Sequence, residues 1–506
     1  MKYFRKSTAL LLSVVLLVSA LGIGFRASAG NRCSCAEIPR VMVDGIGVAL
    51  HYDQGGPDEY DVSVVAPENL KEQVLPIVTN IIAAAATRSW DKGADAISAL
   101  AYGLFGHLQV DEYGVSVNPV TNFAKPVNTQ QNHQTNPKYE FSYDWRMDPM
   151  ESAALLNQYI QEVKSATGHS QVNLIAFSEG SMVCMGYFAQ FQYDDIAQYI
   201  SIMGAHNGLT LVGELFNKHI DLNGTIAAEY MRAYGRFAGD DGAFALFKPL
   251  ADVLEGVGLV DALVGALNLL LKNVQDKVFA DTLIPLFVQW PALWGFVPHE
   301  YYESAKQTLL SGPKYDDFRA LIDNFHYKAG PGYKADTLLA NAAKKTKVSI
   351  VASYGFPTQP FAPNSLIDAD GLIDTARESC GATTAGLFKT FPQGYTQKVA
   401  DEHNHVSPDL RVDASTCLLP EQTWFLKNQI HFTFGFAPFL DFLVSSKNQP
   451  TVWADPAYPQ FLTHLPNNTF VPTQPEAPAK TVSLPQSFLA LFDVVCQLII
   501  AKVQEG

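Results

Sequence analysis

The chain is short of charge. Only 17 per cent of its 506 residues are Asp, Glu, Lys or Arg, and the 50 acids outnumber the 35 bases, for a net charge of −15. A surface poor in Lys and Arg is repelled by a polyphosphate, which argues against a nucleic-acid partner. Cysteine is also scarce, with six in the whole chain: Cys33, Cys35, Cys184, Cys380, Cys417 and Cys496. A structural metal site wants closely spaced Cys and His ligands. Only Cys33-Ser34-Cys35 comes near that, with no evident partner, so no metal and no cofactor is expected. Internal repeats are absent, and so are low-complexity tracts of consequence. Beyond the first 25 residues no stretch reaches the length of a membrane span without a charge or a proline. The mature chain is therefore expected to be soluble or peripheral.

What is present begins with a leader. Lys2, Arg5 and Lys6 precede an apolar run over 9–25, followed by Ala27-Ser28-Ala29. A positive start, an apolar middle and small residues at a cut site are the parts of a secretory signal over residues 1–29, with an uncleaved membrane anchor as the alternative. The expected location is secreted or cell-surface. There an even cysteine count permits disulfides, although their connectivity is not readable from sequence. Cys184 lies in an apolar helical stretch and reads as a buried thiol.

With 48 per cent apolar residues the chain can fill a large core. Residues 39–43 form a short apolar run ending in Asp44-Gly45-Ile46-Gly47, a buried strand and then a tight loop. Residues 110–117 alternate as a strand would, 128–138 are a polar surface loop, and 139–145 are strand-like. Ala153, Leu156, Tyr159, Ile160 and Val163 have helical spacing, and Gly168 stops that helix. Another apolar run over 172–177 passes into a helical pattern over 180–191. Alternating strands and helices of this length indicate a parallel sheet covered on both faces. From about 207 to 333 the pattern is helical and rich in Leu, Phe, Ala and Gly, especially over 246–271 and around Trp290 and Trp294. It reads as a helical cap inserted in the sheet domain, whose strands resume at 347–353. Residues 448–485 read as a proline-rich tail wrapping the surface. An apolar helix over 488–503 then docks on the body or makes a peripheral membrane contact.

The chemistry centres on Ala176-Phe177-Ser178-Glu179-Gly180. A nucleophile elbow places its serine on a strained turn between strand and helix, with small residues at both flanks. Here Ala176 stands where Gly is usual. A serine hydroxyl needs a base to take its proton and a carboxylate to orient that base. In chains of this kind the order is Ser, acid, His. Eight histidines follow Ser178, namely His206, His219, His299, His326, His403, His405, His431 and His464, and spacing alone does not choose among them. Asp368, Asp370 and Asp374 follow the 347–353 strand, where a triad acid is expected; a solvated acidic turn, with or without calcium, is the plainer reading.

Tyr143-Asp144-Trp145-Arg146, then Asp148-Pro149, a helix and the 172–180 segment resemble the lecithin:cholesterol acyltransferase-like family of α/β-hydrolases. Tyr354-Gly355 before Pro357-Thr358, and Asp368-Ala369-Asp370-Gly371, look like further family segments. The resemblance runs from 39 to about 431, and Phe177 stands where the family usually has His. It implies Asp370 as the acid. It also implies a late-loop histidine, His403, His405 or His431, with His431 favoured by Trp424-Phe425 and Asn428 before it. An oxyanion needs two backbone donors in place beforehand. One is the amide of Glu179, next to the nucleophile, and the resemblance implies the amide of Ile46 as the other. Tyr143 to Arg146 reads as structural, with Asp144 and Arg146 paired. Cys380 and Cys417 lie between the proposed acid and base, and a bridge between them is expected. The expected fold is an α/β-hydrolase with a mostly parallel sheet over 30–447, a cap inserted at about 207–333 and a tail over 448–506. The expected activity is cleavage or transfer of acyl groups of lipid-like or small esters. A catalytically inactive hydrolase fold acting as a surface binding protein is the other reading.

Overall fold

Short apolar runs become the strands of one central sheet: β1 Arg40–Val43, β2 Lys138–Phe141, β3 Val172–Phe177, β4 Ile196–Ile202, β5 Lys347–Tyr354, β6 Thr423–Lys427, β7 Phe461–His464 and β8 Phe470–Pro472. The computed structural model describes residues 33–475 except 34, 47–49, 53–60, 63–79, 82, 85–86, 112, 119, 122–125, 238–258, 360–365, 432–436 and 466–468. The expected leader, the terminal 488–503 helix, Cys496 and half of the apolar 246–271 stretch lie outside those residues. The spatial order is β8-β7-β6-β5-β4-β3-β1-β2. All neighbours are parallel except β7 and β8, which run antiparallel. A parallel strand covered on both faces has no solvent side, and accordingly β3 is buried at all positions but Phe177 and β5 at all but Lys347. The fold is α/β, as the strand and helix alternation implies.

Two crossover helices place the elbow. The first, α1 (Pro149–Thr167), joins β2 to β3. Asp148 caps it by accepting the Met150 N–H at 2.9 Å, Pro149 occupies its first turn, and Gly168 ends it at φ 72°. Leu156, Ile160 and Val163 on one face of α1 are buried in the main core with Val172 and Leu174 of β3. The second, α2 (Gly180–Phe191), follows β3 after a two-residue turn and is buried over most of its length.

Between β4 and β5 the regular structure among the described residues is helical. This insertion has its own core, in which Phe216, Phe279, Trp294, Tyr302 and Phe318 pack together. Trp290 instead joins the main core, edge-on to Trp145 at 5.3 Å. Both tryptophans of this stretch are thus packing residues. Trp294 spends its indole N–H on the Val288 carbonyl at 2.7 Å.

Other expectations need correction. Residues 110–117 make one isolated bridge, Val110 to Ser116, rather than a strand. The proline-rich tail does more than wrap the surface, because β7 and β8 extend the sheet to residue 472. Cys380 and Cys417 are free, buried thiols rather than a bridge. Cys380 Sγ is turned to His206 Nε2 at 2.8 Å, which gives the sulfur a different partner. Cys184 is free and buried, as its apolar setting implies. No helix of the described residues is long and apolar enough to cross a membrane.

Candidate active site

The geometry starts with what the turn after β3 requires. Ser178 sits at φ 52°, in the left-handed region that a side chain rarely adopts. Surrounding hydrogen bonds over-determine it, as such strain needs. Its N–H donates to the Ile202 carbonyl at 3.1 Å, and its carbonyl accepts from the Ala205 N–H at 3.1 Å and the Ser181 hydroxyl at 2.7 Å. The small flanks have measurable reasons. A Cβ at Gly180 would lie 2.1 Å from the Val43 carbonyl oxygen, and one at Gly45 would lie 2.6 Å from Ser178 Cβ. Ala176 is fully buried between Val43 and Ser201 of the neighbouring strands, where a methyl group fits.

The loop after β6 brings His431 to this serine. Ser178 Oγ lies 2.8 Å from His431 Nε2, and His431 Nδ1 is hydrogen-bonded to Asp370 Oδ2. The His431 N–H also donates to the Asp370 carbonyl at 3.0 Å. Asp370 Oδ1 accepts two amides of its own loop, Leu372 at 2.8 Å and Ile373 at 2.7 Å. Burial by itself would raise the Asp370 carboxyl, but the imidazole, the Glu378 side chain and the loop donors outweigh it and hold it below the ordinary carboxylate range. The acid is therefore charged and fixed, with one oxygen for the backbone and one for the imidazole.

The competing candidates are placed elsewhere. Asp368 is buried against Arg411 at 2.9 Å and accepts the Gly355 N–H at 2.7 Å. Asp374 accepts the Thr210 N–H at 2.9 Å and faces Arg377. His405 binds the side chain of Gln460 at 2.9 Å, and His403 lies against Trp453. The Glu179 amide faces the same small space as Ser178 Oγ, since a Cβ on Gly45 would meet both, at 3.2 and 3.1 Å. Ile46 directly follows Gly45 in that turn and is exposed. Tyr143 steadies the turn by donating its hydroxyl to the Asp44 carbonyl at 2.8 Å. Arg146 is buried, held by Asp144 through Nε at 2.9 Å, and donates to the Leu108 carbonyl at 3.0 Å, so that strand end is structural.

Two contributors were not singled out for these parts from sequence. Phe177 lies flat against the His431 ring, with centroids 5.1 Å apart and 29° between the planes. Glu378 is fully buried, with a carboxyl oxygen within 4.8 Å of the ligand atoms of Asp370 and His431. Its Oε2 accepts the Ser353 N–H at 2.6 Å. Burial, and then the Asp370 charge, push Glu378 well above the ordinary glutamate range, so it is neutral beside the charged acid. A group whose folded value is raised stabilises the fold below its unfolded value and loses that contribution as pH climbs through the folded one. Glu378→Gln, which stays neutral, is thus expected to gain on the wild type as pH rises above the ordinary carboxyl range. Melting temperatures of both proteins across pH measure this, and parallel curves would remove Glu378 from the account.

No protein-family model matches the chain, and no curated protein matches it in sequence. Among solved structures, one similar chain comes from the crystal structure of the Tle4–Tli4 complex, at 10% identity and a TM-score of 0.23, covering 62% of this chain and 75% of that one. The chain is an α/β protein, with eight mostly parallel strands flanked by helices and a serine at a strand-to-helix turn.

Proposed function

We propose that this chain is an exported serine hydrolase or acyltransferase, similar to the lecithin:cholesterol acyltransferase-like enzymes, acting on lipid-like esters. The observation that carries the reading is the row Ser178 Oγ, His431 Nε2, His431 Nδ1, Asp370 Oδ2 at one strand-to-helix turn. In this reading His431 Nε2 takes the Ser178 proton as Oγ attacks the ester carbonyl, and Asp370 stabilises the imidazolium. The amides of Glu179 and Ile46 receive the oxyanion. Collapse expels the alcohol, which takes the proton from His431 and leaves an acyl-enzyme. Water or a second alcohol then enters by the reverse path.

In this reading the insertion covers the acyl group. Its helix Gly224–Phe237 reaches the acid loop: the Gln359 amide donates to Tyr230 Oη at 2.6 Å and to the Gly371 carbonyl, beside Asp370, at 3.1 Å. The apolar surface for an acyl chain is sought there. Export rests on the leader.

Each buried methylene is worth ~0.8 kcal/mol, so a few added carbons are expected to raise kcat/KM by more than about tenfold. The test is hydrolysis of acetyl to octanoyl p-nitrophenyl esters below micelle-forming concentrations. A rise with chain length supports the reading. A flat or falling series would reduce it to a small-ester hydrolase, and no turnover would leave a binding protein of the same fold.

A further inference from the structure

A second cluster lies at the opposite end of the sheet from Ser178. Cys33 and Cys35 precede β1, His133 precedes β2, and His169 precedes β3, while Ser178, His431 and Asp370 follow strands at their carboxyl ends. Since β1 lies between β3 and β2, the parallel order puts the amino ends of all three strands side by side. Two sulfurs and two imidazole nitrogens meet there, all four within 4.8 Å of one another. The separations are Cys33 Sγ to Cys35 Sγ 3.2 Å, Cys33 Sγ to His133 Nε2 3.5 Å, Cys35 Sγ to His133 Nε2 3.3 Å, Cys35 Sγ to His169 Nε2 3.3 Å, and His133 Nε2 to His169 Nε2 3.2 Å.

Those separations have a simple meaning. In a tetrahedral site with Zn–N and Zn–S bonds of 2.0–2.3 Å, ligand atoms stand about 3.3–3.8 Å apart. Bonded sulfurs would instead be about 2.05 Å apart, so Cys33 and Cys35 are not a disulfide here. Both imidazoles present Nε2 to the same point, with the rings nearly perpendicular at 85°. The segment is tied down independently, because the Cys33 N–H donates to the Gly168 carbonyl at 3.2 Å, at the αL residue that ends α1. Sequence reading found no partner for Cys33-Ser34-Cys35; the fold brings in two, from 100 and 134 residues away.

We infer that Cys33, Cys35, His133 and His169 form a structural zinc site. Four protein ligands close the coordination sphere, so the ion has no open position for substrate and its role is to hold segments together. It fastens the segment before β1 to the loops feeding β2 and β3, and thereby braces the elbow strand from its far end. This inference does not depend on the proposed hydrolase reaction.

The test uses the chain with its leader removed, purified without metal-affinity tags or chelators. Elemental analysis is expected to give about one zinc per chain, falling below about a tenth in Cys35→Ser and in His169→Ala. Replacement of zinc by cobalt(II) in the wild type is expected to give the d–d and thiolate charge-transfer bands of a tetrahedral S2N2 site, a readout that does not require the variants to fold. Removal of zinc is expected to lower Tm by several degrees and to release two thiols to a thiol reagent. Substoichiometric zinc unchanged by the substitutions, another transition metal in equal amount, or a Cys33–Cys35 disulfide in the purified protein would each overturn the assignment.

Discussion

Replacement of Ser178 by Ala is expected to lower ester turnover by on the order of 10⁶, the loss that follows removal of an attacking serine. The fold should survive. The Ser178 side chain does not hold the turn together; its backbone does, through the Ile202 carbonyl and the Ala205 N–H. The variant should therefore melt close to the wild type while losing the hydroxyl that lies 2.8 Å from His431 Nε2. Retention of more than a small fraction of activity in rigorously purified Ser178→Ala would move the nucleophile elsewhere.

The next largest effect is expected from Asp370→Asn. Asp370 uses Oδ1 for the Leu372 and Ile373 amides and Oδ2 for the imidazole. An Asn can keep the two amide bonds with its oxygen, and its NH2 then faces His431 Nδ1. That arrangement favours the imidazole tautomer with its proton on Nε2, which cannot accept from Ser178. Loss of turnover on the order of 10⁴ is expected with the structure intact. The charged Asp370 also lies beside neutral Glu378, so this substitution should ease that neighbour's ionisation. A drop of only a few-fold in kcat would show that the imidazole is oriented by something else.

Much of this arrangement was legible in the sequence because it is local. An apolar run, then Ser178-Glu179-Gly180, then a helical pattern reads as a strand, a tight turn and a helix, and the structure has them at Val172–Phe177 and Gly180–Phe191. His431 and Asp370 were favoured by resemblance, since spacing alone left eight histidines and three acids in play. The missed features are those that depend on which strands become neighbours. His133 and His169 reach Cys33 and Cys35 only because β1 is inserted between β2 and β3. Glu378 looked like one more polar residue after the acid loop, and nothing local shows that it turns inward to Ser353. The strands at Phe461–His464 and Phe470–Pro472 are short and set among prolines, which masked their period. Apolar residues at helical spacing look alike whether they fill a core or line a pocket, so sequence alone did not say which Trp290 and Trp294 do; both pack in cores.

The central claim is that Ser178 is an activated nucleophile. A fluorophosphonate reacts with a serine only when a base draws off its proton, so intact-mass analysis of the probe-treated protein, with peptide mapping of the adduct, tests the claim without knowing the substrate. The account predicts a single adduct on the peptide containing Ser178, lost in Ser178→Ala and strongly slowed in Asp370→Asn. An unlabelled Ser178 in folded protein, or an adduct on a different serine, would contradict it.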